Sequence, residues 1–198
     1  NQPLSLEPNL AGSFGELRNH HFHSGVDLRT QGKIGQPVLA VQDGYLKRLV
    51  AKPNGFGMAL YIAHPSGHTS VYAHLDRFID TFQDLIIKTS FKRKSNRLDL
   101  SFSANDYPVS AGDTIGWSGN SGSSSGPHLH FEWRDSRNEE PLNPVEYGLD
   151  IGKDQVEPKI LSVQTKSGQK VNCIWSDTLI ISDWQDIGVE ILEQQHIG

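Results

Sequence analysis

A single cysteine and a single methionine occur in this 198-residue sequence. Cys173 has no partner, so no disulfide within the chain can form, and the fold must rest on packing and hydrogen bonding. That does not assign a compartment, because exported bacterial proteins often lack disulfides. Apolar runs such as Leu85-Ile86-Ile87 and Leu179-Ile180-Ile181 fall far short of the roughly 20 residues that cross a bilayer, so no transmembrane segment is expected. An excess of positive charge is also lacking: the formal net charge is −5 and no basic stripe follows a helical period. Nucleic acid is therefore not an expected partner, since that binding leans on clustered lysine and arginine. The one dense cluster, Lys92-Arg93-Lys94, reads as solvated surface.

What is present suits a folded domain. Hydrophobic residues make up 36% and charged residues 21% of the chain, enough apolar mass to build a core at this length. From Phe14 to Trp133, turn formers alternate with short β-branched or apolar runs. Pro37–Val41, Tyr45–Val50, Ala59–His64 and Ser70–Ala73 read as strands, punctuated by Asp43-Gly44, Gly55, Gly57, Pro65 and Gly67. The expected fold is all-β, an antiparallel core. Between Phe78 and Ile87 apolar residues recur at three- and four-residue steps, which predicts one amphipathic helix. Residues 78–106 thus form a partly helical insertion in a domain spanning 1–150. After Pro144, Ile160–Val163, Val171–Trp175, Thr178–Ser182 and Val189–Leu192 read as strands without a chemical cluster. Residues 151–198 are a β-rich extension that reads as the opening of a second β domain. The chain starts at Asn1 rather than Met, which a removed signal peptide or a trimmed chain would each produce.

Nine histidines invite a search for metal ligands, and their neighbours decide it. His23 and Asp27 stand four residues apart in a glycine-containing stretch able to bend both toward one point. His128 and His130, at i and i+2 of a strand-like run, share a face with Leu129 packed behind. Zinc takes nitrogen and oxygen ligands tetrahedrally, and catalytic sites leave one position for water. His23, Asp27 and one of His128 or His130 make such a set, with the other imidazole beside it. Tyr72 and His74 share a face of another strand, and His74 would add a second free imidazole for proton transfer. The Ser–Gly stretch from Gly116 to Pro127 runs directly into the His-Leu-His strand. It reads as a cleft rim whose small side chains admit a backbone-like substrate, with Tyr72, Asn120 and Ser125 as candidate substrate contacts.

The motifs Phe22-His23-Ser24-Gly25-Val26-Asp27-Leu28, Pro37-Val38-Leu39-Ala40, Tyr72-Ala73-His74-Leu75, Gly112-Asp113 and Gly126-Pro127-His128-Leu129-His130-Phe131-Glu132 occur in order. Across Leu10–Pro144 the sequence resembles the lysostaphin-type (LytM-type) zinc endopeptidases. The resemblance implies an antiparallel β structure with a substrate groove and one Zn2+ held by His23, Asp27 and His130. It assigns His74 and His128 as metal-free catalytic histidines. It also implies hydrolysis of peptidoglycan cross-links or stem peptides in the bacterial cell envelope, periplasmic or secreted. The alternative is a catalytically silent relative that binds the wall or activates another wall hydrolase. His20 and His21 lack a carboxylate at the matching interval and read as rim or surface residues, while His64, His68 and His196 have no expected chemical role.

Overall fold

The computed structural model describes residues 1–18, 21–104 and 106–152, together with the backbone of three short strands beyond them. Two compact units divide at 152/153. The first contains β1 (Leu10–Gly12), β2 (Val26–Arg29), β3 (Pro37–Leu39), β4 (Gly44–Ala51), β5 (Met58–Ala63), β6 (His68–Phe78), α1 (Asp80–Arg93), β7 (Leu98–Ser101), β8 (Pro108–Val109), β9 (Thr114–Ser118), β10 (His128–Asp135) and β11 (Pro141–Leu142). All its strand pairs are antiparallel, in the order β1-β2-β10-β6-β5-β4-β7, with β9 joining β6 to β3, β8 on β4 and β11 on β10. The antiparallel β core expected from the alternation is what the chain adopts.

The central strands are buried on both faces, and their apolar side chains feed two clusters. The larger gathers Leu28, Leu46, Leu60, Ile62, Tyr72, Leu75, Leu129 and Phe131. The smaller lies under Phe56 and gathers Val50, Ala59, Tyr61, Val71 and Ala73. This two-sided burial explains why β5 reads as a near-continuous apolar run rather than strict alternation.

The helix differs from its expected span. Phe78 is the last residue of β6, paired with Gly116, and Ile79 is the N-cap, so the helix starts later than the periodicity suggested. It also runs on past Ile87, through a solvated last turn carrying Lys92 and Arg93, whose charge suits the helix C-terminus. Only Phe82 and Ile86 are buried. After the helix, β7 pairs with β4 from Arg48↔Ser101 to Ala51↔Leu98. The inserted segment therefore returns as the edge strand of the main sheet.

In the second unit, β12 (Ser162–Thr165) pairs antiparallel with β13 (Lys170–Asn172) and β14 (Ile187–Glu190). The strand expected at Thr178–Ser182, like Cys173, His196, and His20 near the N-terminus, lies outside the described residues.

Candidate metal centre

Three adjacent strands bring the chemistry together. In the β2–β10 ladder Asp27 lies directly opposite His130, and on the other side of β10 Ala73 of β6 lies opposite His130. His23 sits just before β2. Gly25, between them, has the β10 backbone against it: a Cβ there would stand 2.2 Å from the Phe131 carbonyl oxygen. Glycine is needed for this close approach, not for a bend.

His23 Nε2, His130 Nδ1 and Asp27 Oδ1 form a small triangle, with edges of 3.0 Å between the nitrogens and 3.2 and 2.9 Å from each nitrogen to the oxygen. All three residues are buried. A tetrahedral zinc with bonds of about 2.0–2.1 Å would space its ligand atoms about 3.3 Å apart, so a small expansion accommodates the ion. The outer nitrogens explain what faces inward. His23 Nδ1 lies 2.8 Å from the Ser13 carbonyl oxygen and donates to it, while His130 Nε2 donates to Glu132 Oε1 at 2.9 Å. In the neutral tautomers that place those protons outward, the two inward nitrogens offer lone pairs 3.0 Å apart and beside a carboxylate oxygen. Such a convergence needs a proton or a metal cation at its centre, and the donor set of two imidazoles and a carboxylate fits a divalent metal.

The charges around the triangle are paired. Burial would raise the Asp27 carboxyl, but contacts from His128, His130, His23 and Arg18 outweigh it and hold the group far below the usual carboxylate range. Glu132 is fully buried, and burial would raise it too, yet His130 and Arg134 keep it ionised. It also accepts from Ser24 Oγ. Burial alone would lower His130, but the Asp27 and Glu132 carboxylates raise it above the ordinary histidine value, so in the metal-free centre a proton on Nδ1, shared with Asp27 Oδ1, stands where a cation would sit.

His74 and His128 flank this triangle with ring centroids 4.9 Å apart. His74 reaches the site through a break in β6. Leu60 pairs with Tyr72 but Met58 pairs with Leu75, so β6 carries one extra residue, and His74 has a left-handed φ of 59°. Such a bulge re-aims a side chain. His74 Nδ1 donates to the Ser121 carbonyl at 2.8 Å, and His128 Nδ1 to the Gly126 carbonyl at 2.8 Å, which leaves both Nε2 atoms free. His128 Nε2 is buried without a hydrogen bond, 3.4 Å from Asp27 Oδ1. Burial is the main cause pushing His74 down to about 4, so the imidazole is neutral at neutral pH.

The Ser–Gly stretch is tied down rather than free. Ser121 Oγ accepts from Met58 N (2.9 Å) and donates to the Leu75 carbonyl (2.6 Å), and Ser123 N donates to the Gly55 carbonyl (2.8 Å). The rim expected of this loop is thus stapled to the β4–β5 turn and to β6. Asn120 and Ser125 are exposed on it. Tyr72 corrects the sequence reading: it is 0% exposed, its hydroxyl accepts from Val41 N at 3.0 Å, and its ring meets Phe131 edge to face. The extra residue of the bulge separates it from the face that His74 takes. His21 is exposed, whereas His64 is a buried packing residue stacked on Trp133. Residues without a role in the sequence reading also stand here: Glu132, Ser121, Phe56 against His130 with centroids 5.1 Å apart, and Arg18, which donates to Asp27 Oδ2 at 2.6 Å. Only Glu132 left a signal, two residues beyond His130 on the same strand face.

A sequence model of peptidase family M23 matches residues 21–88 and 96–144. The chain belongs to that family, a zinc-dependent family of peptidoglycan hydrolases. The DD-carboxypeptidase/endopeptidase Mpg of Neisseria meningitidis serogroup B is 32% identical over 133 residues, 67% of this chain and 24% of that protein. Lysostaphin of Staphylococcus simulans is 30% identical over 115 residues, 58% of this chain and 18% of its own. The chain thus spans about a quarter or less of the length of these relatives. Among solved structures, the catalytic domain of the prophage-encoded M23 protein EnpA from Enterococcus faecalis superposes with a TM-score of 0.53 at 23% identity, covering 74% of this chain and 96% of that one. That likeness is one of fold.

Proposed function

We propose that this chain is a zinc-dependent endopeptidase that hydrolyses peptide bonds of bacterial peptidoglycan, in cross-links or stem peptides, within the cell envelope. His23, Asp27 and His130 hold the ion, and His74 and His128 handle protons. The observation that carries the reading is the convergence of His23 Nε2, His130 Nδ1 and Asp27 Oδ1 in one buried triangle, with the outer nitrogen of each imidazole held by a hydrogen bond. Zinc bound there would supply Lewis acidity, making a water acidic near neutral pH and polarising a carbonyl. The protein's own residues do the rest. Each of His74 and His128 offers a free Nε2 to the space beside the triangle, able to take a proton from the attacking water. The C–N bond of the substrate then breaks, and that proton passes to the departing amine. The stapled Ser–Gly rim, carrying exposed Asn120 and Ser125, admits an extended peptide.

The test combines zinc content of purified protein with mass analysis of muropeptides released from several wall types. One zinc per chain and released peptides are expected. His130→Ala and Asp27→Ala should lose the metal, and His74→Ala should keep it while turnover falls about 100- to 10,000-fold. Full zinc binding by Asp27→Ala refutes the ligand set. Zinc without turnover on any wall peptide would instead mark a silent relative that binds the wall or activates another hydrolase.

A further inference from the structure

The stretch Gly12–Arg18 precedes both halves of the His23/Asp27 motif, yet it wraps back onto them. Hydrogen bonds from Gly15 N to the His23 carbonyl (2.9 Å), His23 N to the Glu16 carbonyl (2.8 Å) and Arg18 N to the His21 carbonyl (2.9 Å) close a hairpin over His23. Its Ser13 carbonyl accepts from His23 Nδ1. Its Arg18 reaches Asp27, whose two oxygens then face different ways. Oδ1 looks toward the histidines at 3.2 and 2.9 Å, and Oδ2 takes Arg18 Nη2 at 2.6 Å.

We propose that Arg18 is a positioning residue for the metal centre: its guanidinium holds one carboxylate oxygen of Asp27 and leaves the other alone to face the histidine pair. The inference rests on the zinc reading of that centre.

Two observations show that this contact is built into the fold. The first is Gly12, opposite Asp27 in the β1–β2 ladder. A Cβ at Gly12 would stand 2.6 Å from Arg18 Nη2 and 2.9 Å from Asp27 Oδ2, so the missing side chain makes room for the pair. The second is Glu16, whose Oε2 accepts from Ser13 N at 3.1 Å and so fixes the turn leading to Arg18, while its Oε1 lies 3.6 Å from Arg18 Nε, an ion pair without a hydrogen bond.

The sign of the effect is informative. A fixed cation beside a dication site opposes metal binding by charge alone. If Arg18 acted only through its charge, its removal would strengthen zinc binding. If it acts by orienting Asp27, its removal weakens binding, by the 10- to 100-fold typical of losing a group that orients a metal ligand. Orientation is the proposed role, so weaker binding is the expected result.

The experiment measures zinc affinity of the full chain by competition with a chromophoric chelator, for the parent, Arg18→Ala, Arg18→Lys and Gly12→Ala. Arg18→Ala should bind zinc about 10- to 100-fold more weakly, and Arg18→Lys should recover part of the loss. Gly12→Ala should also weaken binding with Arg18 still present, because its Cβ meets both Arg18 Nη2 and Asp27 Oδ2. Cobalt(II) provides a second readout: its visible absorption band should change in Arg18→Ala, as a freed carboxylate alters its mode of binding, which a purely structural role would not cause. Should Arg18→Ala fold poorly, Arg18→Lys carries the test: zinc affinity and cobalt band equal to the parent's overturn the inference, and a smaller loss of the same kind supports it. Arg18→Ala binding zinc as tightly as the parent, or more tightly, overturns the inference and leaves the function intact. A parent that binds no zinc overturns the function itself.

Discussion

Replacing Tyr72 with phenylalanine distinguishes a groove residue from a core residue. Its ring is fully buried against Phe131, and phenylalanine would keep that packing. What is lost is the hydroxyl, which accepts from Val41 N at 3.0 Å and lies 3.1 Å from Ser70 Oγ. Ser70 Oγ in turn lies 2.8 Å from His64 Nε2, and His64 Nδ1 is held 2.9 Å from the Asp43 carbonyl, so the hydroxyl ends a buried polar chain. Without it the Val41 N–H has no acceptor in a buried site, at a cost of about 1–3 kcal/mol. For a chain of this size that lowers the melting temperature by about 2–12 °C. Burial also raises the phenol above its ordinary value of 10.0, so the neutral form is what the fold favours. The associated stability is present below pH 10 and is lost as pH rises further, a loss that Tyr72→Phe should not show. Urea denaturation at pH 7 and pH 10.5, with zinc affinity and KM on a wall peptide, checks all of this. Reduced stability with zinc affinity and KM within about twofold of the parent is expected, since a change of less than about 0.4 kcal/mol is all that a remote site should feel. Unchanged stability with a raised KM would refute the reasoning and return Tyr72 to the groove.

Gly25→Ala should cost about 3 kcal/mol and most of the zinc affinity, because the added carbon meets the rigid Phe131 carbonyl and must push β2 off β10; urea melts and chelator competition measure both. Ser121→Ala removes the bonds to Met58 N and the Leu75 carbonyl, so about 1–2 kcal/mol of stability and part of the turnover should go while zinc is retained. In zinc-free protein, burial depresses His74 from 6.5 to about 4, so its neutral form supports the fold above pH 6.5 and that support is lost as pH falls toward 4. His74→Asn should therefore lose about 3 kcal/mol less than the parent between pH 7 and pH 4, as read by urea melts across that range.

Much of the fold was written in the sequence. Pro37–Val41, Tyr45–Val50 and Ala59–His64 match β3, β4 and β5 within a residue or two, because their turns are marked by glycine and proline. Placing the helix was harder. Phe78 and Ile79 fit its period, but pairing of β6 with β9 claimed Phe78 for the sheet. The pairing of β7 with β4 is a long-range choice that a polar stretch does not announce. Tyr72 shows the limit most clearly. Period-two reasoning puts it on the face of His74, and one extra residue in β6 breaks that period between them.

At the centre itself, legibility divides by kind of atom. Groups that would touch the metal or move protons are imidazoles and a carboxylate, and their residue types and spacing announce them. Groups that decide which nitrogen faces inward are mostly backbone carbonyls: Ser13 for His23, Ser121 for His74 and Gly126 for His128. A carbonyl is the same in every residue, so the sequence holds no residue-type signal for it, and only the fold can place it. Glu132 is the exception, a side chain doing for His130 what carbonyls do for the others, and its i+2 spacing makes it readable. The Ser–Gly stretch looks like a linker for the same reason. Two of its carbonyls fix His74 and His128, and its small side chains let the backbone lie against β6 and the β4–β5 turn. In that loop the backbone's path carries the information, and side-chain identity matters mainly where, as at Ser121, a hydroxyl holds the path in place.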